Sequence, residues 1–309
     1  MVEPIKLGII GINEGNGHPF SFSAIINGFD DEGMKNSGWD VIYDYLKIRD
    51  ASEFGFDNVQ VTHVWTQDPE QTKKIAKASK IPNIVIDVND MLDEVDGVLI
   101  AIDDYEKHYQ MAKIFLEKDK YVFIDKPLSL EIAELRFFRK YLEDGRLMSC
   151  AGARYAKELD EVRGNIDSFG EMKLIRGTVI NSMEKYGIHM LDGIFGVTGF
   201  HVKSVSCFQA KHTSMMIKNT DNTLMYIDAL GDAPKTLQID FWSDNKRFHA
   251  EVNDNFSMFR RLLADFIEMI RTKKPTVEPE LVINTMRVLI AANISRKENR
   301  EVAIDEIAV

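Results

Sequence analysis

Cysteine is scarce in this chain: two residues, Cys150 and Cys207, among 309. Two thiols make neither a disulfide framework nor a cysteine-based zinc site, so no bound metal is expected and a reducing cytoplasm is the expected compartment. Positive charge is also in short supply. Lys and Arg total 38 against 49 Asp and Glu, leaving a net charge of −11. Phosphate backbones need a basic footprint, so that balance argues against a general nucleic-acid binder and against docking on an anionic membrane. Long apolar runs are missing too: stretches such as 98–102 fall far short of the ~20 residues of a membrane span. No basic segment precedes an apolar core in MVEPIKLGIIG, so no signal peptide is expected. No internal repeat or low-complexity tract stands out.

What is present is a strand–helix alternation. Residues 5–10 (IKLGII) read as a buried strand, and 59–65 (VQVTHVW), 83–86 (NIVI), 95–102 (VDGVLIAI) and 121–124 (YVFI) as further short strands. Helical patterns separate them at 21–28, in PEQTKKIAKASK and around Met111, Ile114 and Phe115. This spacing predicts a doubly wound parallel sheet, a Rossmann arrangement. Residues 29–58 break the rhythm. They read as an insertion with one short helix near 41–49, either a surface elaboration or a loop that contacts substrate.

The second half is patterned differently. After a helix at 131–142 come the strand-like runs LMSCAGA, MKLIRGTVI, VKSVSCFQA, TLMYIDAL, KTLQIDFW and RFHAEV, with a helix at 185–197 among them and two closing helices at 255–271 and 280–297. Consecutive strands with few helices predict a largely antiparallel, open α+β sheet with helices on one face. At roughly 150 residues per domain the length suits two domains. The boundary is placed near Pro127, giving 1–127 and 128–309.

Ligands of a doubly wound sheet bind beyond the carboxyl ends of its strands. The first such end runs Gly11-Ile12-Asn13-Glu14-Gly15-Asn16-Gly17. Glycines let backbone N–H groups approach a pyrophosphate, and a helix follows. Counted from Gly11, however, Asn13 and Asn16 stand where G-x-G-x-x-G has its second and third glycines. At the end of the second strand Thr66 takes the place of the usual ribose-reading acid, with Asp68 two residues on, so NAD and NADP both stay open. After the fourth strand, Asp103 would face the nicotinamide half of a bound dinucleotide. Asp104 reads as a helix cap, and His108 as either a packing residue or a cofactor contact.

The fifth strand ends in Asp125-Lys126-Pro127, and a later helix carries Gly187-Ile188-His189-Met190-Leu191-Asp192. With these motifs the chain resembles the Gfo/Idh/MocA family of NAD(P)-dependent oxidoreductases. That family has an E-K-P segment closing its dinucleotide domain and a G-x-H-x-x-D helix in its second domain. The resemblance extends through 95–108, Arg154 and FIEMIRTKKP to the closing helices. It implies a Rossmann domain followed by a substrate-binding and oligomerisation domain, and NAD or NADP as cofactor. It implies hydride transfer at a secondary alcohol or ketone of a sugar, sugar derivative or cyclitol.

The catalytic residues so implied are Lys126, as proton relay at the substrate hydroxyl, and His189, which assists it. A proton acceptor is a chemical necessity when an alcohol is oxidised by hydride loss. Read from its residues alone, His189 is otherwise a satisfied histidine on a helix packed against a sheet. Arg154, Tyr155, Lys185 and Asp192 are candidate substrate contacts, Tyr155 also reading as strand-end packing and Asp192 as a support for the histidine. Gly11, Ile12, Asn13, Gly15, Asn16, Thr66, Asp103, His108, Asp125 and Lys126 are candidate cofactor contacts. One departure stands out: where many family members have an aspartate four residues before the histidine, this chain has Lys185. A cation there suits an anionic substrate, or else marks weakened catalysis. A non-catalytic dinucleotide sensor of the same fold is therefore the alternative, and a further reading places the hydride chemistry on an imine or a linear tetrapyrrole. The resemblance also implies a homodimer or homotetramer built on the open face of the second sheet, with Met225, Ile227 and Phe241 expected on that face.

Overall fold

The computed structural model describes residues 4–309. Two compact units emerge. The first comprises the chain up to Leu128 together with Phe138–Ser149 and Phe259–Thr276; the second comprises Ser129–Phe137, Cys150–Met258 and Val277–Val309. Among the described residues no helix is long and apolar enough to cross a membrane.

In the first unit the chain runs β1 (Ile5–Ile10), α1 (His18–Asn27), α2 (Asp31–Lys35), α3 (Asp40–Lys47), β2 (Val59–Trp65), α4 (Pro69–Ala78), β3 (Asn83–Ile84), β4 (Gly97–Ile100), α5 (Tyr105–Leu116) and β5 (Tyr121–Ile124). Helix α6 (Ile132–Glu143) then leads to β6 (Leu147–Ser149). The sheet order is β3-β2-β1-β4-β5-β6, every adjacent pair parallel. The central strands are covered on both faces, which is why they are apolar without alternation: Leu7, Ile9, Ile10 and Val98–Ile100 are all buried. Asp68 caps α4 by accepting from the N–H groups of Glu70 and Gln71, and Pro69 occupies the first turn, where its missing N–H costs nothing. Phe123 packs edge-on against Phe22 and Phe266.

Two expectations are corrected here. The run beginning at Leu147 does not belong to the second sheet; Val122, Phe123 and Ile124 pair with Leu147, Met148 and Ser149 to make it the edge strand of the first. Grouping it by sequence order obscured that it is a short, wholly buried run of the kind parallel sheets use. The segment 29–58 also carries two helices rather than one. Its far end is clamped by α9 (Asn255–Thr272), whose first-unit portion supplies Arg260 and Arg271. Arg260 donates from Nε to the Glu53 carbonyl at 2.6 Å and from Nη2 to the Gly55 carbonyl at 3.3 Å, and lies 4.9 Å over the Phe56 ring. Arg271 reaches the Asp57 carbonyl at 2.7 Å.

The second unit contains α7 (Asp160–Asn165), β7 (Met172–Val179), α8 (Met183–Thr198), β8 (Val202–Gln209), β9 (Thr213–Asn219), β10 (Leu224–Ala229), β11 (Leu237–Ser243), β12 (Arg247–Glu251), α10 (Pro279–Glu298) and β13 (Val302–Ala303). Its sheet order is β12-β11-β7-β10-β9-β8-β13; β7 and β10 run parallel, the other neighbours antiparallel. Helix α8 packs on β7, β10 and β11, and α10 on β8.

This arrangement corrects the expected oligomer face. Met225, Ile227 and Phe241 are 1%, 0% and 0% exposed and belong to the buried, helix-covered set, not the open face. The alternate set is the open one, including Leu224, Tyr226, Arg176, Asp240 and Trp242. A period of two divides a strand's residues into two sets but does not say which set the helices cover.

Arg260→Ala should lower stability by about 2 kcal/mol, because it removes charged donors from two backbone carbonyls. Urea denaturation measures this; an unchanged midpoint would show that the clamp contributes nothing.

Candidate active site

The carboxyl edge of the first sheet gathers the loops after β1, β4 and β5. Gly11 has φ +82°, and a Cβ there would lie 2.6 Å from Ile102 Cγ2, so only glycine fits. The chain then makes a tight turn in which Asn13 and Asn16 pair, with Gly15 (φ +81°) near its tip. The Asn16 N–H donates to the Asn13 carbonyl at 3.1 Å. This turn replaces the shorter glycine-rich loop, and its two asparagines tie it to the neighbouring strand ends.

Asn13 donates from Nδ2 to Asp103 Oδ1, and its Oδ1 accepts the Asp103 N–H at 3.1 Å. Asp103 Oδ2 lies 3.4 Å from Lys126 Nζ. The Lys126 N–H donates to Asp125 Oδ1 at 2.9 Å. Asp125 Oδ2 accepts from Asn16 Nδ2 at 2.9 Å and meets His18 Nδ1 at 2.6 Å. Asn16 Oδ1 closes the circuit by accepting the His18 N–H at 2.9 Å. A continuous polar chain therefore links the loops after β1, β4 and β5. Asn16, Asp125 and Lys126 are all under 5% exposed. The Lys126–Pro127 peptide is cis.

Burial alone would push the Asp125 carboxyl upward. The nearby His18 charge and hydrogen bond, then Lys126 and the Asn16 amide, outweigh it and hold the group well below the usual carboxylate range. His18 was not singled out from the sequence as a site residue. Its ring stacks on Phe22 at 4.7 Å and meets Phe259 edge-on, which fixes its orientation toward Asp125.

Several predicted cofactor contacts have other work. Thr66 is buried, and its hydroxyl bonds the Asp68 carbonyl at 2.7 Å and the Thr72 hydroxyl at 2.7 Å. It shapes the turn into α4 and leaves no hydroxyl for a ribose. Asp68 is the α4 cap. His108 is fully buried, its Nε2 3.0 Å from the Ile102 carbonyl and its Nδ1 3.1 Å from the Leu128 carbonyl. Burial lowers its pKa against the pull of those carbonyls, and no ring surface is left for a cofactor. Asp104 stands at the α5 cap position but pairs with Lys107 at 2.7 Å. Gln67 was missed: its amide bonds the Ile12 backbone in both directions, Oε1 accepting the N–H at 3.3 Å and Nε2 donating to the carbonyl. No local pattern marks such a clasp, which spans 55 residues of sequence.

The second unit holds the other candidates. Ser182 caps α8 by accepting the Lys185 N–H. Lys185, His189 and Asp192 recur at helical spacing along α8, exposed, half-buried and buried in turn. Glu184 turns to α10 and pairs with Arg296. The His189 ring lies 5.3 Å from that of Tyr186. Asp192 Oδ2 accepts the Ala151 N–H at 2.5 Å, and its Oδ1 is 3.6 Å from an Arg154 terminal nitrogen. Burial raises the Asp192 pKa, opposed by Arg154 and the Ala151 N–H. Arg154 lies over Gly196, where a Cβ would meet its Cγ at 3.3 Å. Its Nε is buried with no hydrogen-bond partner among the described residues. Tyr155 is half-buried in the same 3-10 turn.

With this geometry in view, residues 5–146 match the family described as "Oxidoreductase family, NAD-binding Rossmann fold", GFO_IDH_MocA. A search of curated protein sequences gives no match. The fold is similar to that of scyllo-inositol dehydrogenase from Lactobacillus casei, solved with NAD(H) and scyllo-inositol bound, at TM-score 0.76 and 15% identity over 98% of this chain and 100% of that one. It is similar also to myo-inositol 2-dehydrogenase from Lactobacillus plantarum, at TM-score 0.77 and 15% identity over 97% and 99% of the two chains.

Asp125→Asn should cost about 3 kcal/mol at neutral pH, since it strips the charge from a buried, hydrogen-bonded pair. A carboxyl depressed in the folded state contributes stability above its unfolded pKa of about 3.9 and loses it as pH falls toward the folded value. The gap between wild type and variant should therefore close in urea titrations taken from pH 6 to below pH 3. A gap independent of pH would contradict the assignment.

Proposed function

Because residues 5–146 match the model of an oxidoreductase family with an NAD-binding Rossmann fold, we propose an enzyme that moves a hydride between NAD and a secondary alcohol or ketone of a sugar, sugar derivative or cyclitol. The observation that carries this reading is Lys126: an almost fully buried side chain at the carboxyl end of β5, its Nζ 3.4 Å from Asp103 and its backbone N–H bonded to the anchored Asp125. The residues present suit a dinucleotide. The turn 13–16 and Gly11 would bring backbone close to a pyrophosphate, and Asn13, Asp103 and Lys126 would line the nicotinamide side. Bound NAD would supply the hydride acceptor.

In the oxidative direction, with NAD bound as the hydride acceptor, Lys126 Nζ in its amine form would take the substrate's hydroxyl proton. The C–O bond becomes a carbonyl, and the proton leaves through Lys126. Asp103 balances the resulting ammonium. His189 takes the assisting role that the family resemblance assigns, with Asp192 and the Ala151 N–H bracing its helix. The unpartnered Arg154 Nε is a donor suited to a substrate oxygen, because a buried N–H left unpaired is costly. Lys185, exposed on α8, favours a substrate carrying an anionic group.

The buried Cys150 and Cys207, which form no disulfide, support a cytoplasmic setting. We also propose that the open face of the second sheet pairs with a second copy of the chain, because Leu224, Tyr226 and Trp242 leave apolar surface there. Tyr226→Glu should halve the mass seen by sedimentation; a monomeric wild type would end that idea.

Lys126→Met should abolish turnover on any sugar or cyclitol that reduces NAD, while calorimetric NAD affinity stays within about threefold. Substantial activity in the variant would remove Lys126 from the mechanism.

A further inference from the structure

We propose that Trp39, carried by the extra segment between α1 and β2, is the stacking wall for the adenine half of the dinucleotide. This rests on the proposed NAD function and adds to it the residue that sets adenosine affinity.

A cleft of about 470 Å³ opens beyond the carboxyl ends of β1 and β2, lined among others by Ile12, Gln67, Asp68, Gln71, Lys74 and Trp39. In a doubly wound sheet the adenosine half of a dinucleotide lies at this end of the first two strands. The indole is half-buried. A Cβ on Gly17 would lie 2.7 Å from Trp39 Cδ2 and Cε3, so the ring rests directly on the glycine backbone that starts α1. Ser37 Oγ accepts the Trp39 N–H at 3.1 Å and fixes the turn that presents it.

The polar means of holding a ribose are meanwhile reduced. Thr66 spends its hydroxyl within its own turn, and Asp68 commits Oδ1 to the α4 N-terminus. Gln67 is committed to the Ile12 backbone, which holds that side of the cleft still. Among the other lining residues, Asn13, Glu14, Ser37, Gln71 and Lys74 are polar, and Trp39 supplies the one aromatic face. Such a surface suits the π-face of a purine. Base–aromatic stacking is worth enough to change affinity by about tenfold or more when the ring is removed. In this chain an inserted segment thereby supplies recognition that a strand-end acid provides elsewhere.

Titration calorimetry of wild type, Trp39→Ala and Trp39→Phe with NAD, ADP-ribose and nicotinamide mononucleotide tests this. Trp39→Ala should weaken NAD and ADP-ribose about tenfold, Trp39→Phe no more than about threefold, and neither should change mononucleotide binding. ADP-ribose should quench wild-type tryptophan fluorescence, and the quench should be lost in Trp39→Phe, a readout that survives if the alanine variant does not fold. Unchanged or tighter NAD binding by Trp39→Ala, equal weakening of all three ligands, or a quench retained in Trp39→Phe would each overturn the assignment. If wild type binds neither NAD nor ADP-ribose, the dinucleotide function itself fails, and the inference falls with it.

Discussion

A buried carboxylate organises this protein's carboxyl edge. Asp125 is sealed from water, and burying such a charge is unfavourable unless it is paired and hydrogen-bonded. Here both oxygens are engaged: His18 and Asn16 on one, the Lys126 N–H on the other. Because His18 and Asn16 follow β1, the carboxylate holds that stretch against the end of β5. Asn13 and Asp103 do the same between β1 and β4. Lys126 sits where the two sets of contacts meet. Its position is thus a consequence of a network rather than of one strand end.

The same network explains how a departure from the usual phosphate fingerprint is compatible with a dinucleotide site. Where glycines would let a loop lie close to a ligand, Asn13 and Asn16 instead bind the loop to its neighbours. The flexibility lost at those positions is offset by Gly11 and Gly15, which take up the positive φ angles. The extra segment 29–58 plays a parallel part on the other side of the cleft. Arg260 and Arg271 hold its end, and its middle delivers Trp39 onto Gly17.

Much of the fold was legible because buried parallel strands read as apolar runs, and IKLGII, VDGVLIAI and YVFI lie in order between helical patterns. Lys126 was legible because Asp125-Lys126-Pro127 follows such a run directly. The pairing of His18 with Asp125 was not, since 107 residues separate them and nothing local to either signals the other. The bonds that Thr66 and His108 make were hidden for a related reason. Position at a strand end or helix start shows that a side chain is near the edge, but not whether backbone carbonyls already occupy it. In the second sheet the alternation of TLMYIDAL was visible, but the packing of α8 decides which set is covered, and that is a tertiary fact.

If the edge held by Asp125 is a dinucleotide site with Lys126 at its reactive end, a crystal structure grown with NAD will show it. The pyrophosphate should lie over the 13–16 turn and the nicotinamide beside Lys126 and Asp103, with the polar network intact. NAD bound elsewhere on the chain, or bound at this edge with Lys126 turned away from the nicotinamide, would contradict it.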